Sequence, residues 1–208
     1  MPRFATGVLI LVASLLGSAQ TPPSAPMLTV LRPARVFDGE TMHEGWAVRI
    51  RGERVDAAGP AASVAIAGAR LVDLPGTTIT PGLIEGHAHL LLHAYTETSW
   101  VDQVSREGLA LRVARATNHV KATLLAGFTT MRDLGTEGAG YADVELRRAV
   151  EQGILSGPRI LASTRAIVAT GTYQPKFAPE WNVPQGAEEA DGVDSLTRVV
   201  RDQIGKGA

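Results

Sequence analysis

The sequence contains no cysteine. That one absence removes disulfides, thiolate nucleophiles, zinc–thiolate sites and lipoprotein anchoring together. A surplus of one charge is missing too: 20 Lys and Arg stand against 21 Asp and Glu, a net charge of −1. This balance gives no electrostatic case for nucleic acid or for an anionic membrane surface. Nor is there an apolar run near the ~20 residues that cross hydrocarbon. The apolar run Gly7 to Leu16 follows Arg3 and precedes the small residues Gly17-Ser18-Ala19. That is the layout of a cleavable export signal over residues 1–19. An uncleaved anchor is the alternative, and the shortness of the run argues against it. The expectation is a periplasmic or secreted protein with no stable membrane anchor after cleavage. No twin arginine stands in residues 1–19, so export in an unfolded state is expected. Residues 20–26, with three prolines, read as an extended linker.

The 208 residues, 45% apolar, predict a globular chain of one or two domains. Residues 27–80 read as short strands: Leu28–Leu31, Ala34–Phe37 leading to a turn at Asp38-Gly39, Trp46–Ile50, a hairpin turn at Arg51–Arg54, Arg54–Ala58 and Arg70–Leu74. Together they predict a meander. Its Arg and Asp residues are assigned no chemistry, and His43 is taken as a solvated loop residue. From Leu83 the pattern changes to strand–helix alternation. Leu83–His87 is a strand. A helix spans about Ser105–Ala126, with Leu109, Val113, Ala116, Val120 and Leu124 at helical spacing and Gly127 as the stop. Phe128–Arg132 is a second strand, ending at Asp133. A helix over 142–152, a strand over 158–163 and a long loop over 164–192 follow. A third helix starts near Asp194, with Leu196, Val199, Val200 and Ile204 on one face. Alternation of this kind predicts parallel strands with crossover helices, either a (β/α) barrel or a doubly wound sheet.

One stretch carries chemistry. Thr80-Pro81-Gly82-Leu83-Ile84 leads a short apolar strand into Glu85-Gly86-His87-Ala88-His89-Leu90. Side chains alternate along a strand, so His87 and His89 share a face, and two imidazoles there make half of a site for a divalent metal such as zinc. A His-x-His alone also fits a solvated strand face. The surrounding motifs decide between the two. Asp73-Leu74-Pro75-Gly76, Thr80–Ile84 and His87-x-His89-Leu90, with Arg35–Gly39 upstream and Gly127–Asp133 and Gly157–Ile160 downstream, strongly resemble the metal-dependent amidohydrolase superfamily. The branch resembled is that of imidazolonepropionase and Xaa-Pro dipeptidase, from about Leu28 to the end.

The resemblance implies a TIM-like (β/α) barrel preceded by a small β-sandwich over 27–80, here incomplete. It implies hydrolysis of a C–N bond in an amide, dipeptide or cyclic amide through a metal-activated hydroxide, with one or two divalent ions, zinc above all. In relatives the first-strand histidines bind one metal, a carboxylated lysine of the fourth strand bridges to a second, and later histidines and an aspartate complete the site. Only His87 and His89 carry over. About three βα units are present, with about 126 residues after Gly82 against the ~250 of a full barrel. Residues 81–208 therefore read as the N-terminal part of such a barrel. No catalytic residue is assigned, and the chain alone is expected to be inactive. Lys206 sits between glycines at a helix end and is rejected as the bridging lysine. An unpaired strand edge and an uncovered apolar face are expected.

His93 and Tyr173 are candidates for facing substrate, with surface positions as the alternative. Asp133, on the rim, reads as a carboxylate that fixes a loop or supports a ligand rather than as a ligand. His119 is placed on a solvated helix face. Gly135–Gly140 lacks the Lys-Ser/Thr of a phosphate loop and reads as a flexible βα loop. The expected partner is a small-molecule amide or dipeptide, and oligomerisation is left open. Two rivals stand beside the hydrolase: a non-catalytic binding or assembly protein on the same fold, and a metal-free exported solute-binding module.

Overall fold

The computed structural model describes residues 26–208; residues 1–25, which hold the expected signal and most of the linker, lie outside the described residues. The chain divides into two compact units between Thr80 and Pro81. The first consists of β1 (Leu28–Phe37), β2 (Met42–Glu44), β3 (Trp46–Arg51), β4 (Arg54–Pro60) and β5 (Arg70–Ile79). The long β1 organises it. Leu28 to Leu31 pair antiparallel with β3, and Arg35 to Phe37 pair antiparallel with β2. From Thr29 to Val36, β1 also pairs parallel with β5. The meander expectation fails at this point, because β5 enters the sheet alongside β1 and in the same direction. Val64, in the connection that makes this possible, packs with Val30, Ala47 and Ala69. The expected sandwich is represented among the described residues by this one five-stranded sheet.

His43 is not in a solvated loop. It lies in β2, opposite Val36, and stacks on Trp46 with centroids 3.7 Å apart. Its Nε2 is 2.8 Å from Asp38 Oδ2. The backbone N–H groups of Thr41 and Glu40, and then His43, hold the Asp38 carboxyl well below the usual carboxylate range.

The second unit consists of β6 (Leu83–Ala88), α1 (Trp100–Ser105), α2 (Leu109–Leu125), β7 (Phe128–Asp133), α3 (Ala142–Glu151), β8 (Arg159–Ala162), β9 (Ile167–Val168), β10 (Glu188–Glu189) and α4 (Gly192–Lys206). β6, β7 and β8 form a parallel sheet in that order. Each successive pair is joined through a helix, which is the repeat of a (β/α) barrel. Leu90, Leu91, Ala116, Val120, Met131, Ala139, Leu146 and Ile160 are the buried core between strands and helices.

Three details depart from the sequence expectation. The helix expected from Ser105 starts only at Leu109, because Gly108 is extended (φ −66°, ψ 148°), and a short helix not expected from sequence, α1, ends at Ser105. The loop over 164–192 contains a parallel pair of two-residue strands, β9 and β10. The last helix begins at Gly192, not near Asp194, and its N-cap Asp191 makes no capping bond. The Asp191 carboxylate instead accepts the N–H and hydroxyl of Thr170. On α4 Val199 is buried, while Leu196, Val200 and Ile204 are exposed. Leu83 and Ile84 of β6 are exposed as well. Among the described residues, no helix is long and apolar enough to cross a membrane.

Gly157, just before β8, shows how closely α2 packs. A Cβ there would stand 2.1 Å from Val120 Cγ1 and 3.1 Å from Val150 Cγ2. Val120 is fully buried and has no room to yield. Gly157→Ala is expected to destabilise the protein by about 1–3 kcal/mol, read as a lowered urea midpoint; an unchanged midpoint would show that α2 is loosely seated.

Candidate functional site

The site grows from the end of β6. His87 is the last-but-one residue of the strand and His89 follows it by one step. Their rings converge, with centroids 5.4 Å apart at 73°. His87 is exposed, and its N–H donates to Glu85 Oε1 at 2.9 Å. His89 is half-buried, and its Nδ1 lies 3.0 Å from the carbonyl oxygen of Gly135. A carbonyl only accepts, so Nδ1 carries the hydrogen, and in the neutral ring the Nε2 lone pair is then left for another partner. A backbone carbonyl holding one imidazole nitrogen so that the other can bind is the usual support of a metal-ligating histidine.

The loop that supplies this carbonyl is not the flexible βα loop that its glycines suggest. Thr136, Glu137 and Ala139 are buried. Thr136 donates its N–H to Thr164 O and its hydroxyl to Gly140 O. Glu137 adopts φ +51° and Gly138 φ +84°. A left-handed glutamate is uncommon and costs roughly 1 kcal/mol, and here that conformation accompanies a carboxylate held within the site. Glu137 Oε2 accepts from Trp100 Nε1 at 2.8 Å, and Oε1 lies 3.3 Å from the Tyr173 hydroxyl and 3.7 Å from His89 Nδ1.

Arg112 joins the two loops. It is buried on α2, where its Nε donates to Leu91 O and its Nη2 to Thr136 O, each at 3.0 Å. Leu91 lies two residues after His89, and Thr136 follows Gly135. The guanidinium therefore clamps both ends of the segment pair that makes the His89–Gly135 bond. Burial pulls the Arg112 pKa down, against the attraction of Glu107, Glu137 and Asp133.

Asp133, the last residue of β7, is fully buried. Its Oδ1 accepts the N–H of Leu90 at 3.2 Å, and Oδ2 has no partner. It thus holds the loop that carries His89. Burial, then the nearby Asp143 carboxylate, pushes its pKa up to about 8 despite the Leu90 and Gly135 N–H groups. An unfolded chain releases this proton near pH 4. Stability from the protonated form is therefore complete below about pH 4 and is lost as the pH climbs toward 8. Asp133→Asn is expected to gain on the parent by about 1–3 kcal/mol between pH 5 and pH 8, measured by urea unfolding at both. An equal difference at the two pH values would contradict this.

His93 is neither solvated nor free. Its side chain is 6% exposed, and Gln103 holds its backbone N–H and carbonyl. Arg115 Nη1 lies 2.6 Å from Nε2 and equally close to Glu107 Oε1. His93 Nε2 also lies 3.1 Å from Glu107 Oε1, and Nδ1 lies 2.9 Å from Glu97 Oε2. Both ring nitrogens are engaged within the chain, which leaves none for a substrate. Burial raises the Glu107 carboxyl, but Arg115 and His93 outweigh it and leave the pKa below the ordinary value. His119 is half-buried rather than solvated, and lines a cavity of about 590 Å³ with His89, Tyr95, Thr123 and Met131.

The structure thus brings together His87, His89, Asp133 and, through Glu137, Tyr173. The sequence reading missed Glu137, Trp100 and Arg112. One signal was available: Arg112 falls in phase with Leu109, Val113, Ala116 and Val120, and a lone arginine on an apolar stripe requires partners.

The amidohydrolase family profile matches residues 78–208, more than half of the chain. The chain belongs to the amidohydrolase family. Solved structures similar to it include a prolidase complexed with N-methylphosphonate-L-proline, 32% identical, with a TM-score of 0.71 over 88% of this chain and 45% of that one. A second, an amidohydrolase, is 28% identical, with a TM-score of 0.73 over 88% of this chain and 45% of that one. A Xaa-Pro dipeptidase with methionine bound in its active site is 24% identical, with a TM-score of 0.73 over 87% and 45%, and bears on the fold alone. No curated protein matches the chain. The amidohydrolase chain spans less than half the length of these solved relatives. Its α/β architecture, three βα units of a TIM-like barrel, is the fold they share.

Proposed function

We propose that this chain supplies the first metal-binding strand and its supporting loops to an exported hydrolase of C–N bonds, with a dipeptide, N-acyl amino acid or cyclic amide as substrate. The observation that carries the reading is the convergence of His87 and His89 with the His89 tautomer fixed by Gly135 O. The 32% identical prolidase, solved with a proline phosphonate, supports a dipeptide.

The donor set fits part of a zinc site: two imidazoles, one already held through Nδ1 by the Gly135 carbonyl. Among the described residues, no group of three or more His, Cys, Asp or Glu could hold a metal ion. Zinc sites take three or four protein ligands, so these two hold an ion weakly by themselves. When bound, a divalent ion supplies a Lewis acid that polarises the scissile carbonyl and acidifies water. This chain's own residues do the positioning. Gly135 O orients His89, Asp133 fixes Leu90 and hence the strand end, and Arg112 ties the two loops together. On this reading the 208-residue chain binds zinc without turning over substrate.

A chimera joining residues 1–208 to the remaining part of the 32% identical prolidase tests the proposal. With zinc it is expected to hydrolyse Xaa-Pro dipeptides, and to lose that activity on His87→Ala or His89→Ala. A folded, zinc-loaded chimera without activity would overturn the reading, and so would zinc-dependent turnover by the 208-residue chain alone.

A further inference from the structure

Beside the histidines lies an aromatic pocket that the hydrolytic chemistry does not use. Tyr95, Trp100, Thr172, Tyr173 and Gln174 line a cavity of about 270 Å³. Trp100 and Tyr173 meet edge to face, with centroids 5.4 Å apart and planes at 66°. Both rings donate to one carboxylate: Trp100 Nε1 to Glu137 Oε2 and the Tyr173 hydroxyl to Oε1. Donation to an anion pushes electron density back into a ring and makes its face more negative. Glu137 is 2% exposed, and among the described residues no Lys or Arg lies within ion-pair distance of it. Arg112 is the guanidinium that feels its charge, but its donors are directed to the carbonyls of Leu91 and Thr136.

We propose that this pocket receives an organic cation, an ammonium or guanidinium group carried by the substrate, among Tyr95, Trp100 and Tyr173 and in the field of Glu137. The assignment rests on reading the adjacent histidines as a hydrolytic centre, and it names the substrate class for that centre. Aromatic faces attract cations. An anionic group would meet a buried carboxylate, and a neutral polar group would lose water for little return. The phenol of Tyr173 does not reverse this sign: burial and the Glu137 charge push its pKa up to about 12, so the ring stays neutral. The Glu137 carboxylate is 3.7 Å from His89 Nδ1, which sets the pocket next to the metal-binding strand.

The test uses the metal-free 208-residue protein and two probes of equal shape whose α-amines are acetylated, so that they differ in charge only at the side chain, Nα-acetyl-L-arginine amide and Nα-acetyl-L-citrulline amide, followed by the Trp100 indole N–H resonance. Arginine amide is expected to bind at least about tenfold more tightly than citrulline amide. Tetramethylammonium is expected to shift the same resonance and to leave Trp46 and Trp181 unmoved. Glu137→Gln keeps an acceptor for Trp100 and removes the charge, so it should shrink the preference for arginine toward unity. Tyr95→Leu alters an exposed side chain, leaves the fold intact and should weaken both cations. Equal binding of the two amides, or a preference that survives Glu137→Gln, would overturn the proposal. Zinc binding at His87 and His89 is measured separately, so failure of the pocket and failure of the metal site remain distinct.

Discussion

Replacing either His87 or His89 with alanine is expected to lower the zinc affinity of this chain at least about 100-fold, more than the 10–100-fold typical of losing an outer-shell partner. Zinc competition against a chromogenic chelator would measure it. The expected loss is large because only two donors converge here, and removing one leaves a single imidazole in water. Half-buried His119 is the control. It lines the same cavity as His89, yet it belongs to α2 and has no carbonyl to fix its tautomer. His119→Asn is expected to leave the affinity unchanged. If all three substitutions acted equally, zinc would be binding to histidines in general rather than to a site.

Arg112→Met is expected to destabilise the protein by about 2–6 kcal/mol, about 1–3 kcal/mol for each buried acceptor left without a donor. Methionine fills most of the space, so the loss comes from two buried carbonyls, Leu91 O and Thr136 O, left without donors. Arg112→Lys keeps the charge but not the planar fork, and it should recover only part of the loss. Urea unfolding gives the stability, and hydrogen exchange gives the location. Protection should fall at Leu90 N–H and Thr136 N–H, which flank the clamp. A lowered midpoint with those two amides still protected would show that Arg112 supports the helix and not the loops.

The strands and helices of the second unit were legible because their apolar residues follow simple periods. The His-x-His was legible because alternation along β6 needs no tertiary knowledge. The features that were not legible depend on partners distant in sequence. Glu137 lies in a glycine-rich stretch that resembles any mobile loop, and its role appears only when Trp100 and Tyr173 are brought to it. His93 directly follows Leu90-Leu91-Leu92, and nothing local shows that Arg115 and Glu107, beyond α1 in sequence, will enclose it. In the first unit, β5 runs through Pro75 and Gly76, residues that normally end a strand. Its pairing with β1 tolerates them through Gly76 at φ +74° and a register shift between Pro33 and Arg35.

The direct test is nitrogen-15 NMR of His89 as zinc is added. Before zinc, Nδ1 should carry the hydrogen and Nε2 should resonate as an unprotonated nitrogen. With zinc, Nε2 of His89 and one nitrogen of His87 should shift together, while Nδ1–H of His89 persists. A ring protonated at Nε2 before zinc, or a zinc shift at His89 without one at His87, would contradict the paired site.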